Sequence, residues 1–213
     1  MKAFRREDAR GQVVAELDGE ERAVVARVVA DVGLLLGAEP FGADRPATPD
    51  AEDELFRHLA GWEERPVDPR DPAVLRLLPN AAPTDQEVAD EFRRLTEGDL
   101  RDLKVQRLRR IWEALSATGP EWAVDVDEAL PTAAALTDVR LVLAARLGLE
   151  DDADVDRLHH EVDLAMHFMD GDDAPSAVVD GERVWLGMLY EALAWLQESL
   201  LQCIVDQGEV HHA

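Results

Sequence analysis

Apolar residues recur every three or four positions along most of this chain, which is the spacing of amphipathic helices. The clearest predicted helix follows Asp18, a residue suited to capping its start; Glu21 completes a capping box, and Gly37 is a natural stop. A division at Thr96 splits 84–118 into two predicted helices. Other helices are predicted over 50–61, 127–147, 157–169 and 182–206. The pattern therefore predicts a protein built mainly of helices.

Residues 2–16 follow a different pattern, because the segments KAFRRED and QVVAEL flank a turn-like Ala9-Arg10-Gly11. This arrangement predicts a small β-hairpin, although the first arm is polar for a strand. Residues 38–50 and 170–180 are rich in turn-favouring residues, which predicts flexible loops. The expected fold is all-α, an irregular multi-helix bundle around a buried C-terminal helix, in one domain over 1–213 with a candidate N-terminal hairpin.

The helix predicted at 182–206 is apolar over most of its circumference and has one narrow polar stripe. Such a helix either lies at the centre of the core or is shared with a partner subunit. Cys203 projects opposite the polar stripe, which favours an inert core residue; a redox-active thiol is the alternative. Because Cys203 is the only cysteine, an intramolecular disulfide is excluded.

The overall charge narrows the classes of partner. A formal net charge of −24 and a sequence pI near 4.4 oppose non-specific attraction to DNA and to anionic membranes. The first residues contain no apolar signal segment, and polar residues interrupt the most apolar helix. The expected location is the cytoplasm, without a membrane partner.

One segment has the opposite charge: residues 93–110 hold seven basic residues against three acidic ones. Lys104 and Arg107 fall on the apolar face of the predicted helix, which predicts buried ion pairs with the chain's many carboxylates. A docking surface for an acidic partner and direct DNA contact are the alternatives, although DNA-reading cations normally share one exposed face. The candidate contacts are Arg93, Arg94, Arg101, Arg109 and Arg110.

A second pattern concerns metal chemistry. His160, Asp163 and His167 lie on one face of a predicted helix at spacings of three and four, which could supply three metal ligands. Position 164 holds no histidine, so the HExxH pattern of zinc proteases is absent, and a solvated helix face is the alternative. The sequence contains no phosphate-binding loop and no nucleophile elbow. No cofactor is expected.

Four ordered blocks carry a resemblance to a known family: LLP, EFRRLTEGDLR, DVRL followed by RLG, and WLQESL. Together they resemble an actinobacterial family of unknown function, some members of which are described as the oxidative-stress transcriptional regulator AosR. The resemblance covers about residues 12–205. It implies an all-helical, cytoplasmic, non-enzymatic regulator that binds a sigma factor, the polymerase or promoter DNA.

The resemblance also implies redox sensing through paired cysteines. Since this chain has one cysteine, sensing would need an intermolecular bond between Cys203 residues in a homodimer. Regulation through protein–protein binding is therefore the leading hypothesis. A direct DNA-binding transcription factor and a small metal-dependent enzyme built on the His/Asp face are the alternatives.

Overall fold

A computed structural model describes residues 1–7, 9–42, 71–80, 85–169 and 181–210. Helices make up most of the described chain, and a small sheet accompanies them, so the predicted helical bundle with an N-terminal hairpin is confirmed. The helix predicted at 50–61 and the loop at 170–180 lie outside the described residues. The elements are β1 (Lys2–Glu7), β2 (Gln12–Glu16), α1 (Gly19–Leu35), α2 (Pro72–Leu77), α3 (Gln86–Ser116), β3 (Glu121–Asp125), α4 (Val126–Leu147), α5 (Asp152–Met169) and α6 (Gly181–Val210).

The sheet has three antiparallel strands in the order β1-β2-β3. The turn between β1 and β2 contains Gly11 in the left-handed conformation (φ 64°), as the predicted hairpin requires. β3 was not predicted. Its residues alternate between exposed and buried, and Trp122 and Val124 point into the core. The ring of Trp122 meets the ring of Phe4 edge-on, with 5.1 Å between the centroids.

The boundaries of α1 match the prediction. The Asp18 side chain accepts a hydrogen bond from the Glu21 backbone and the Glu21 side chain accepts one from the Asp18 backbone, which completes the capping box. The chain leaves the helix through Gly37, whose φ of 81° is left-handed. Three residues therefore determine where this helix begins and ends.

The prediction of two helices over 84–118 is wrong, because α3 is one helix of 31 residues that begins after Asp85. Thr96 lies inside this helix and does not cap a second one. The pair Glu97–Arg101 lies just after the expected break and spans Gly98, where it stabilises the helix. The cap-like residue at position 96 therefore does not mark a helix start.

The buried side chain of Arg22 links α1 to the end of α3. Its guanidinium donates to four backbone carbonyls, at distances of 2.7 to 3.0 Å. Three of these carbonyls belong to the last turn and the C-cap of α3, where helix geometry leaves acceptors without partners, and the fourth begins β3. They belong to Ala114, Leu115, Ala117 and Glu121.

α4 and α6 pack against each other in antiparallel orientation. Gln197 Nε2 donates to the Ala133 carbonyl, and Arg183 Nη1 donates to the Leu147 carbonyl at the other end of the pair. The predicted end of α4 at Gly148 is confirmed by its left-handed φ of 69°. Leucines on one side of α6 are fully or nearly fully buried: Leu186, Leu189, Leu193, Leu196 and Leu200.

Two further elements cover α6. α5 crosses it at Gly187, where an added Cβ would lie 2.8 Å from Val162 Cγ2 and 2.9 Å from Leu158 Cδ1. β1 lies along it near Ser199, whose Oγ accepts a hydrogen bond of 3.0 Å from the Phe4 backbone. One side of α6 is still open to solvent. None of the helices in the described ranges is long and apolar enough to cross a membrane.

Candidate functional site

Lys104 forms an ion pair with Asp138, which links the middle of α3 to α4. Asp138 is only 3% exposed, and its Oδ2 has no hydrogen-bond partner among the described residues. Burial raises the pKa of Asp138, while the Lys104 ammonium and the Arg107 guanidinium oppose that rise. The two basic residues on the apolar face of α3 therefore both act on one buried carboxylate.

Arg101 and Arg110 join α3 to other helices. The Arg101 guanidinium donates to the Leu36 carbonyl and to the Glu97 carboxylate, both at 2.8 Å. A cation at the end of α1 also interacts favourably with the helix dipole. Arg110 is more exposed and pairs with Glu128 of α4. Both charges are thus matched within the molecule.

The remaining predicted contact residues of α3 are more exposed. Arg94 pairs with Glu91 one turn earlier, at 2.7 Å. The Arg109 guanidinium lies over the Phe41 ring, 4.7 Å from its centroid. The side chain of Arg93 lies outside the described residues. The described cations of α3 face several directions and contact acids, a carbonyl or a ring, so they do not form the single basic face that phosphate contacts need.

Cys203 lies in a shallow groove of about 310 Å³ between α6 and β1. The residue is half-buried at the edge of the core, so it is less enclosed than the sequence pattern favoured. Its Sγ donates to the Phe4 carbonyl at 3.4 Å. Arg5 and Arg6 line the same groove. The sequence did not predict that they lie near Cys203, because they are far from it along the chain. The thiol is therefore open to solvent along a groove that basic residues also line, and the Arg5 guanidinium pairs with Glu16 there.

The candidate metal ligands His160, Asp163 and His167 are all exposed on α5. Within the described ranges, no group of three or more His, Cys, Asp or Glu side chains is placed to hold a metal ion. Neighbouring His159 points its Nε2 at Glu191 of α6, 3.6 Å from the carboxylate. These observations favour the alternative interpretation, in which His160, Asp163 and His167 form a solvated face of α5.

The open side of α6 carries an exposed tryptophan, and sequence reasoning did not single it out. Trp195 is 44% exposed, and Met188 lies two turns earlier on the same face and is also exposed. Glu191 and Glu198 lie one turn before and one turn after Trp195. We call these four residues the α6 ridge. Exposed tryptophans are frequent energetic centres of protein interfaces, so the ridge is a candidate contact surface.

Comparison with known proteins adds a family but no activity. No curated protein and no solved structure matches the chain. A family model described as "Domain of unknown function (DUF2017)" matches residues 1–204. The match includes every described strand and helix apart from the last residues of α6. The chain therefore belongs to the DUF2017 family of domains of unknown function.

Proposed function

We propose that this protein is a non-enzymatic regulator that acts by binding a basic partner protein through the α6 ridge. The exposed Trp195 carries this proposal, because a large aromatic side chain on an open helix face offers much apolar area to a partner. Exposed Glu198, one turn after Trp195, would select basic residues around the pocket that receives it, whereas Glu191 faces His159 of α5.

The nature of the partner follows from charge and from the resemblance to the AosR-like family. A chain with a net charge of −24 attracts proteins with basic surfaces, and nucleic-acid-binding proteins carry such surfaces. The resemblance supports a role in transcription, with a sigma factor or RNA polymerase as the partner. No described feature favours the two alternatives, direct DNA binding and a metal-dependent enzyme on the His/Asp face.

Oxidative stress is the proposed signal, and Cys203 is the residue that would receive it. Peroxide converts a thiolate to a sulfenic acid and is itself reduced to water. Oxidation would replace the S–H group that donates to the Phe4 carbonyl with a larger S–OH group and so disturb the contact between α6 and β1. Cys203 follows Trp195 by eight residues, about 12 Å along the helix, so a shift of α6 would reach the ridge.

Direct binding to purified sigma factors and core polymerase from the source organism tests the proposal. We expect Trp195→Ala to weaken binding about thirtyfold, the cost of losing an interface centre of about 2 kcal/mol. Leu164→Ala is the matched control, because Leu164 is 42% exposed but lies on α5. Absence of binding to all of these proteins would refute the proposal, and so would equal affinities of the two variants.

The redox part has its own test. Peroxide treatment of the wild type should change the affinity, and Cys203→Ser should bind with the same affinity before and after treatment. If the Cys203→Ser protein responds to peroxide as the wild type does, the signal acts through a different residue.

A further inference from the structure

Arg140 occupies an unusual position between α4 and α6. Its Nη1 donates to Gln197 Oε1 at 2.7 Å, its Nη2 lies 3.3 Å from Tyr190 Oη, and its guanidinium lies 5.1 Å from the centre of the Tyr190 ring. The amide of buried Gln197 donates to the Ala133 carbonyl and to Thr137 Oγ1. The oxygen and the nitrogen of the Gln197 amide are therefore both hydrogen-bonded, and Gln197 fixes the position of the Arg140 guanidinium.

The positive charge of Arg140 has no carboxylate partner among the described residues. Half-buried Lys104 and Arg146 each contact a carboxylate, whereas the described acceptors of Arg140 are neutral side-chain oxygens. Its Nε is buried and makes no hydrogen bond within the described ranges. A partly desolvated cation is stabilised most by a carboxylate, and this chain has 46 acidic residues that could have supplied one. The site is therefore electrostatically incomplete.

The surface next to Arg140 is apolar. On α4, Leu130 is 62% exposed, and the outward positions that follow it toward Arg140 carry no charge. Leu201 and Val205 of α6 are exposed and lie level with Leu130, because the two helices run antiparallel with Ala133 beside Gln197. We call Leu130, Arg140, Tyr190, Leu201 and Val205 the Arg140 strip. Such a surface on so acidic a protein indicates a binding site.

A complementary surface lies on α3 of the same chain. Leu95 is 62% exposed, Leu103 is also exposed, and Asp99 and Asp102 lie between them on the same face of the helix. The two carboxylates form no hydrogen bond or ion pair with the described residues. This face points away from the core, since Lys104 and Leu108 pack on the opposite side. We call Leu95, Asp99, Asp102 and Leu103 the α3 row.

We propose that the Arg140 strip of one copy of this chain receives the α3 row of a second copy. The carboxylates of Asp99 and Asp102 would supply the missing partner of Arg140, and Leu95 and Leu103 would cover the apolar residues of the strip. The lengths agree: Leu95 to Leu103 spans about 12 Å of helix, and Leu130 to Arg140 about 15 Å.

The contact joins two unlike surfaces and is therefore heterologous. The α3 row faces away from α4, since Lys104 on the opposite side of α3 pairs with Asp138 of α4, so the row and the strip of one copy lie on different sides of the molecule. One contact of helix-face size is smaller than the roughly 1,200 Å² that stable interfaces bury, so we expect a weak dimer. Two chains of net charge −24 repel at long range, so we expect dimerisation to strengthen with salt up to about 0.15 M, where the screening length is about 8 Å.

Two charge-reversed proteins test the pairing directly. Arg140→Glu places acid against acid in a self-dimer, and the double variant Asp99→Arg with Asp102→Arg places base against base. An equimolar mixture of the two should dimerise, because either contact between the two proteins is complementary: the new arginines meet the new glutamate in one, and the original aspartates meet Arg140 in the other. Sedimentation velocity at about 100 µM should show a wild-type dimer, each variant at least about tenfold weaker alone, and a restored dimer in the mixture.

Two further measurements keep the test decisive. Leu103→Ser should weaken the wild-type dimer, and Leu164→Ser, a change of similar exposure on α5, should not. Leu201→Ser replaces Arg140→Glu as the strip variant if circular dichroism shows that the latter is unfolded. A monomeric wild type, a dimer unaffected by the row and strip variants, or an absence of recovery in a mixture of two folded charge-reversed variants would each overturn the proposal.

Discussion

Lys104→Met tests how strongly the buried ion pair between α3 and α4 contributes to stability. The methionine keeps an unbranched side chain of similar shape but leaves Asp138, only 3% exposed, without its ammonium partner. Removing one member of a buried pair costs about 3–5 kcal/mol. Because Arg107 still acts on the same carboxylate, we expect the lower end, about 3 kcal/mol. For a chain of this size that corresponds to a fall in Tm of about 6–12 °C.

The destabilisation by Lys104→Met should also depend on pH. Burial raises the pKa of Asp138 in the folded protein above its ordinary value of 3.8, and loss of Lys104 should raise that pKa further. The folded state then binds the proton more tightly than the unfolded state does. The contribution of Asp138 to the free energy of unfolding is therefore complete below about pH 4. It is lost as the pH rises through the pKa that Asp138 has in the folded protein. The destabilisation by Lys104→Met should be largest at pH 8 and smaller at pH 5.5.

Urea denaturation followed by circular dichroism at the two pH values measures both effects. Arg110→Met is the matched control, because the exposed pair with Glu128 should contribute at most about 1 kcal/mol. Lys104→Met combined with Asp138→Leu should recover most of the loss, since no unpaired charge remains. Equal destabilisation at both pH values would refute the reasoning, as would a Lys104→Met protein no less stable than Arg110→Met.

Three other predictions follow from the packing. Arg22→Lys should destabilise the protein by about 2–4 kcal/mol in urea denaturation, because an ammonium cannot reach all four carbonyls; a loss below about 0.5 kcal/mol would contradict that role. Gly187→Ala should cost about 1–3 kcal/mol and speed hydrogen exchange in α5, because its Cβ would overlap Leu158 and Val162; unchanged exchange there would contradict the close approach. A thiol reagent should label Cys203 in the native protein, more slowly than in urea, and complete protection would show that the groove is closed.

The fold was predictable from sequence where the determining signals are local. Asp18, Glu21 and Gly37 lie near the ends they define, and α1 has the predicted bounds. Thr96 carried the same kind of signal and misled, because a residue that can cap a helix start is also tolerated inside a longer helix such as α3. β3 alternates as a strand should, but its partner is distant: Gln12 pairs with Asp125, more than a hundred residues later. A five-residue strand gives little evidence without its partner.

In the candidate sites, too, local features could be predicted from the sequence and distant partners could not. Helical periodicity placed Lys104 on the inner face of α3, but it could not select Asp138 from 46 acidic residues. The proximity of Arg5 to the Cys203 groove depends on β1 lying along α6, which no local pattern encodes. Trp195 belongs to a helix that is apolar nearly all round, so only the packing reveals which side stays open.

The hydrogen bond between Phe4 and Ser199 has a consequence for protein synthesis. The two residues are 195 positions apart, and ribosomes add about 5–20 residues per second, so roughly 10–40 s separate their appearance. During the later part of that interval, once β3 has been made, the outer edge of β1 has no partner in the nascent chain. Unpaired strand edges promote aggregation. Chaperone dependence of the nascent chain should therefore end when α6 leaves the exit tunnel, and chains that stop before α6 should accumulate in inclusion bodies.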